Sequence, residues 1–163
     1  MPNAVRIIGF DPGIGRTGYG IIEIEGNTSR SVGHGLIETP PGDSPADRLA
    51  TLASEVRRVL AEAGATEAAV EKLFFSKNVT TGMTVAEARG VILAECSAAK
   101  LTVHEYTPPQ VKQAVSASGS AAKGQVQRMV TRLLNLDETP KPDDVADALA
   151  VAICHSGHRR VVA

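Results

Sequence analysis

The chain has 163 residues, 43% of them hydrophobic and 21% charged, and a formal net charge of −1. These values suit one compact soluble domain with a core that needs no covalent staples. They also exclude a global electrostatic pull toward nucleic acid, and no apolar run reaches the ~20 residues of a membrane span. The opening MPNAVRIIGFD lacks the charged and then apolar pattern of a secretion signal, so a cytoplasmic location is expected. Cys96 and Cys154 belong to no CxxC or Cys/His ligand set. They read as buried thiols of a reducing compartment.

Val5 to Phe10 is a short apolar run ending at Asp-Pro-Gly, which predicts a buried strand and a turn. Gly18 to Glu25 predicts a second strand, Gly26-Asn27 a turn, and Ser31 to Thr39 a third strand completing an antiparallel meander. After a Pro/Gly loop, Ser44 caps a helix with Pro45 at its first position and Asp47 in its first turn; Gly64 ends it. Ala68 to Phe74 is a strand containing Glu71. A helix then runs to about Ala99, with Thr84 and Glu87 as one possible capping box and an earlier start as the other. Leu101 to Tyr106 is a fifth strand, and Thr107-Pro108-Pro109-Gln110 opens the next helix. Ser116 to Ala122 is a small-residue loop, Gln125 to Leu136 a helix, and Asp143 to His155 a last, Ala-rich helix. The order β-β-β-α-β-α-β-α-α-α predicts an α/β fold: a five-stranded mixed sheet with helices on both faces. One domain over residues 1–156 is expected, followed by a short basic tail over 157–163.

Four scattered carboxylates carry the chemical signal. Asp11 ends the first apolar strand, and Glu71 lies inside AAVEKLFF. Asp144 and Asp147 are three apart in a predicted helix and share a face. Carboxylates rarely occupy buried strands unless they are paired, hydrogen-bonded or bound to metal. If the first and fourth strands are neighbours and the last helix crosses their ends, all four acids meet. Their repulsion then calls for divalent cations. An oxygen-only donor set suits Mg²⁺ or Mn²⁺, and two such ions support phosphodiester hydrolysis. Taken singly, each acid has a bland reading as turn former, edge charge or helix-surface residue. Asp143 competes with Asp144 as the ligand; the i,i+3 spacing favours Asp144, with Asp143 as the cap.

Gly13 to Gly18 matches GxGxxG as a string, but a β-rich run follows where a dinucleotide site needs a helix. The same loop resembles the first phosphate loop of actin-like kinases and ATPases, which leaves a phosphotransferase as an alternative. From Lys72 to Arg132 there are eight cations and three anions, enough for a local phosphate-attracting face or an ordinary solvated one.

GFDPGIGRTGYGII, VEKLFFSKN, AEARGV, YTPPQVKQAV, GSAAKGQVQ and DDVADALAVAICH occur in this order over nearly the whole chain. Together they resemble the RuvC family of bacterial Holliday-junction resolvases. The resemblance implies an RNase H-like fold and a homodimer that nicks a four-way DNA junction symmetrically, leaving 5′-phosphate and 3′-hydroxyl ends. It also implies RuvA and RuvB as partners. It places the metal-binding acids on Asp11, Glu71, Asp144 and Asp147, a junction-inserting aromatic on Phe74, and lysines near the scissile phosphate on Lys112 and Lys123. The residues themselves allow Phe74 and Phe75 both to be core, or one of them to stack on a base. Lys77 and Arg89 are further candidates for DNA backbone contacts. His155 lies eight residues past Asp147 in the same helix, which would put it near the acids, or else in a structural or solvent-facing position. A non-catalytic junction-binding scaffold is the alternative from another class.

Overall fold

The computed structural model describes residues 4–72 and 78–159. Phe74, Phe75 and Lys77 lie outside the described residues, as does the tail beyond Arg159. Three antiparallel strands open the chain: β1 (Val5–Asp11), β2 (Arg16–Glu25) and β3 (Thr28–Glu38). Then come α1 (Pro45–Ala63), β4 (Glu67–Glu71), α2 (Val79–Ala98), β5 (Thr102–Tyr106), α3 (Pro108–Ser116), α4 (Lys123–Leu133) and α5 (Asp143–His158). The sheet order is β3-β2-β1-β4-β5, with β4 parallel to β1 and β5 parallel to β4. The predicted element order and mixed sheet are therefore observed.

Local chemistry accounts for most element ends. Ser44 Oγ accepts from the Asp47 amide at 3.1 Å, and Gly64 closes α1 in the left-handed region at φ 64°. Thr107 and Gln110 form the expected capping box on α3. Of the two expected starts of α2 the earlier is observed: Asn78 caps it by accepting from the Thr81 amide at 3.2 Å. One cap differs from expectation. Asp143 is not a cap: Pro142 holds the N-cap position of α5, and Asp143 is its first helical residue. Proline lacks an N–H, so an extended Pro142 enters the helix without orphaning a donor.

Alternate β1 residues face opposite sides, as the strand period demands. Ile8 and Phe10 pack with Leu52, Val56 and Ile92 under α1 and α2. Ile7 packs with Ile22, Ala69, Val130 and Leu149 under α4 and α5. The second layer rests on bare backbone. A Cβ on Gly9 would stand 2.2 Å from the Ala148 carbonyl oxygen, and one on Gly18 only 2.0 Å from that of Asp144. Glycines in β1 and β2 thus let α5 lie directly against the strands. Cys96 and Cys154 are buried and free.

Candidate active site

Parallel pairing of β1 with β4 brings the C-terminal ends of the two strands together. Phe10 registers with Val70, so Asp11 and Glu71, one residue further on each strand, become neighbours. Each carboxyl group lies close enough to perturb the other, and adjacent carboxylates favour retaining a proton. Burial pushes Asp11 far above the usual carboxylate range, and Glu71, Asp147 and Asp144 push it further. Burial and then Asp147 also raise Glu71, against the pull of Lys112 and Lys123. Asp147 is raised by burial despite the ammonium of Lys123.

The first turns of α5 carry the remaining candidate acids, Asp143, Asp144 and Asp147. Asp144 faces Asp11, whereas the Asp143 side chain is 59% exposed and sits at the rim. Asp144 Oδ2 is buried without a hydrogen-bond partner among the described residues. Arg16 approaches it at 3.3 Å but is not aligned to donate. Such an oxygen is costly unless a cation or donor meets it. Lys123 Nζ stands 3.4 Å from both Asp143 and Asp147. Burial lowers the Lys123 pKa, but the two aspartates outweigh it and hold the ammonium above its ordinary value.

Beside the acids opens a cavity of about 210 Å³. Glu71, Asp147, Lys112 and Lys123 give it charge, while Val111 and Val126 give it apolar walls. The expected lysines therefore converge with the acids. Arg89 does not line this cavity; its guanidinium is committed to Glu105 of β5. Phe74 and Lys77 cannot be placed, being outside the described residues.

Residues 7–155 match the family described as crossover junction endodeoxyribonuclease RuvC. The chain belongs to this family. A RuvC from Heliobacterium modesticaldum is 54% identical over 148 residues, covering 91% of each chain. One from Halothermothrix orenii is 51% identical over 155 residues, covering 95% of this chain and 94% of the other. Among solved structures, Thermus thermophilus RuvC in complex with Holliday junction substrate superposes with a TM-score of 0.89 at 34% identity, covering 94% of each chain. The RNase H-like architecture implied by the motifs stands with that match.

Two features of this RuvC-family chain escape a sequence reading. Arg16 reaches Asp144 because the β1–β2 turn is folded tightly. Thr17 is fully buried, and its Oγ1 donates to the Gly13 carbonyl at 2.7 Å. The Thr39 amide donates to the Gly15 carbonyl at 3.1 Å, tying the turn to the end of β3. Only the position of Arg16, five residues after Asp11, hints at this. The second feature is the setting of His155, which lies at the opposite end of the sheet from the acids. It is 2% exposed, with Nε2 2.6 Å from Glu67 Oε2 and Nδ1 2.7 Å from the Tyr106 hydroxyl. Eight helical residues carry it about 12 Å past Asp147, which rules out the placement near the acids.

Proposed function

We propose that this chain resolves four-way DNA junctions by hydrolysing one phosphodiester per subunit of a homodimer, with Asp11, Glu71, Asp144 and Asp147 holding Mg²⁺ or Mn²⁺. The observation that carries this reading is Asp11, half-buried at the end of β1 where three other carboxylates raise its pKa, beside a cavity bearing two lysines. A cluster of that kind suits hard divalent cations by its oxygen-only donors, by a mutual repulsion that Lys123 and Arg16 only partly offset, and by the orphaned oxygen of Asp144. When bound, two such ions supply an activated water and stabilise the leaving oxygen.

The chain's own groups divide the remaining work. The four acids would hold cations only when deprotonated, so Asp11 and Glu71 would have to give up the protons that burial favours. Lys123 Nζ stands 3.4 Å from Asp147, where its ammonium would be placed to meet phosphate if that carboxylate served as a metal ligand. Lys112 adds positive charge from α3 on the same side of the cavity. Val111 and Val126 form a dry wall that strengthens these interactions. Junction affinity comes mainly from phosphate contacts, and selectivity from the branched, deformable shape. Phe74 is proposed as the inserting aromatic and Lys77 as a backbone contact, on the family resemblance. RuvA and RuvB are the expected partners, and the bacterial cytoplasm the expected place.

The test uses a labelled synthetic junction and a matching linear duplex, with Mg²⁺, Mn²⁺ or EDTA, beside Asp11→Asn. Symmetric, metal-dependent nicks confined to the junction and lost in the variant are expected, with 5′-phosphate ends. Tight junction binding without cleavage across a panel of core sequences would establish a scaffold instead. Nucleotide hydrolysis with no junction binding would establish a phosphotransferase.

A further inference from the structure

Three of the chain's four histidines, His104, His155 and His158, line a cavity of about 390 Å³ at the end of the sheet remote from the acids. We propose that Glu67, His104 and His155 form a second cation site there, selective for a borderline divalent transition ion of the zinc class. The proposal is independent of the nuclease reading.

One ligand atom from each of the three residues lies within 4.8 Å of the others. They come from three elements: Glu67 opens β4, His104 sits mid-strand in β5, and His155 lies in the last turn of α5. Two imidazoles and one carboxylate are a zinc-type donor set and a poor one for Mg²⁺. The cavity leaves room for a water as the fourth ligand.

The hydrogen bonds around His155 are those of a metal ligand's support. Glu67 is acceptor-only, so His155 Nε2 carries the proton facing it at 2.6 Å, and Nδ1 accepts from the Tyr106 hydroxyl at 2.7 Å. A cation entering between Nε2 and Oε2 takes the place of that bridging proton. The proton transfers to Nδ1, and the Tyr106 oxygen, able to accept as well as donate, turns to receive it. No proton leaves the protein. The His104 ring stacks on His155 at 4.3 Å between centroids, and one of its nitrogens lies within 4.8 Å of the His155 and Glu67 ligand atoms.

Arg159 sets the strength of the site. Its Nη2 bonds Glu67 Oε1 at 2.9 Å and its Nε bonds Oε2 at 2.9 Å, which orients the carboxylate but opposes a dication. Bound metal would pin the end of α5 to β4 and β5 and raise the unfolding temperature.

The experiment titrates chelator-treated full-length protein with ZnCl₂ by calorimetry and thermal shift, in wild type, His104→Ala, Arg159→Gln and Asp11→Asn. Zinc binding and stabilisation are expected in wild type and unchanged in Asp11→Asn. Binding should weaken on the order of 10–100-fold in His104→Ala and tighten in Arg159→Gln. His104 is not among the buried residues of either core cluster, so circular dichroism should find its alanine variant folded. Nitrogen-15 NMR should place the His155 proton on Nε2 without zinc and on Nδ1 with it. Zinc stabilisation that survives His104→Ala or disappears in Asp11→Asn would overturn the proposal. So would an unchanged His155 tautomer, or no zinc binding by the wild type.

Discussion

Gly18→Ala tests whether bare backbone contact between β2 and α5 sets the catalytic geometry. Gly18 pairs with Asp11 across the hairpin and lies beneath the first turn of α5. A methyl group there would meet the Asp144 carbonyl oxygen at 2.0 Å and its carbon at 2.4 Å, against the 3.0 Å that real Cβ atoms require. Both obstacles are backbone, so no rotamer relieves them. The helix start must lift by about 1 Å, or the strand must twist by as much, at an overpacking cost of about 1–3 kcal/mol. Either movement carries Asp144, and through the rigid helix Asp147, away from Asp11 and Glu71. A misplacement of about 1 Å at a reacting centre costs on the order of 100-fold in rate. Gly20→Ala serves as the comparison, because its nearest obstacle is the Leu149 side chain at 2.4 Å, which can repack. The assay is single-turnover cleavage of a labelled junction at saturating protein, beside urea unfolding and gel-shift affinity. Gly18→Ala should lose about 100-fold in rate with affinity nearly unchanged, and Gly20→Ala should lose stability with far less rate. A Gly18→Ala enzyme that cleaves at the wild-type rate would refute the reasoning.

The acid cluster should make the metal-free protein pH-sensitive. Asp11 has an unfolded value of 3.8 and a raised folded value, so its stabilising contribution is full below 3.8 and is lost as pH rises through the folded value. Asp11→Asn should therefore flatten that loss and abolish the thermal stabilisation by Mn²⁺; an unchanged Mn²⁺ shift would remove Asp11 from the site. His155 acts with the opposite sign. Burial lowers its pKa below 6.5, so acidification through 6.5 lets only the unfolded chain take the proton, and stability falls as pH drops toward the folded value. In the Asp11→Asn background the melting temperature should drop below pH 6.5; a flat profile down to pH 5 would show His155 to be unperturbed. Lys123→Ala should cut the cleavage rate on the order of 100-fold and also tighten Mn²⁺ binding, because the ammonium no longer competes for Asp147; weaker Mn²⁺ binding would contradict that exchange. Arg16→Gln should lower junction affinity and reduce the salt slope by about one, and an unchanged slope would confine Arg16 to its contact with Asp144.

Much of this protein is written locally. Ser44 with Pro45 and Gly64, and Thr107 with Gln110, mark helix ends because the orphan amides and carbonyls they serve lie within a few residues. The apolar run ending at Asp11 and the apolar setting of Glu71 announce buried acids, because ionised carboxylates are costly in such surroundings. Their convergence is not local. It depends on β4 pairing parallel to β1 with Phe10 opposite Val70, a register fixed by the two packed layers of core. Asp143 and Asp144 differ by a rotation of about 100° around one helix. The i,i+3 spacing to Asp147 favours Asp144 in sequence, and the glycine contacts of β1 and β2 set the rotation of α5 that turns Asp144 toward Asp11. Arg89, a candidate in sequence for a DNA backbone contact, meets Glu105 only because β5 lies beside α2. His155 shares a helix with Asp147, yet the length of α5 and its path across the sheet set the two at opposite ends. Residue type and spacing thus determined which groups are candidates for the chemistry, and strand register and helix rotation decided which of them meet.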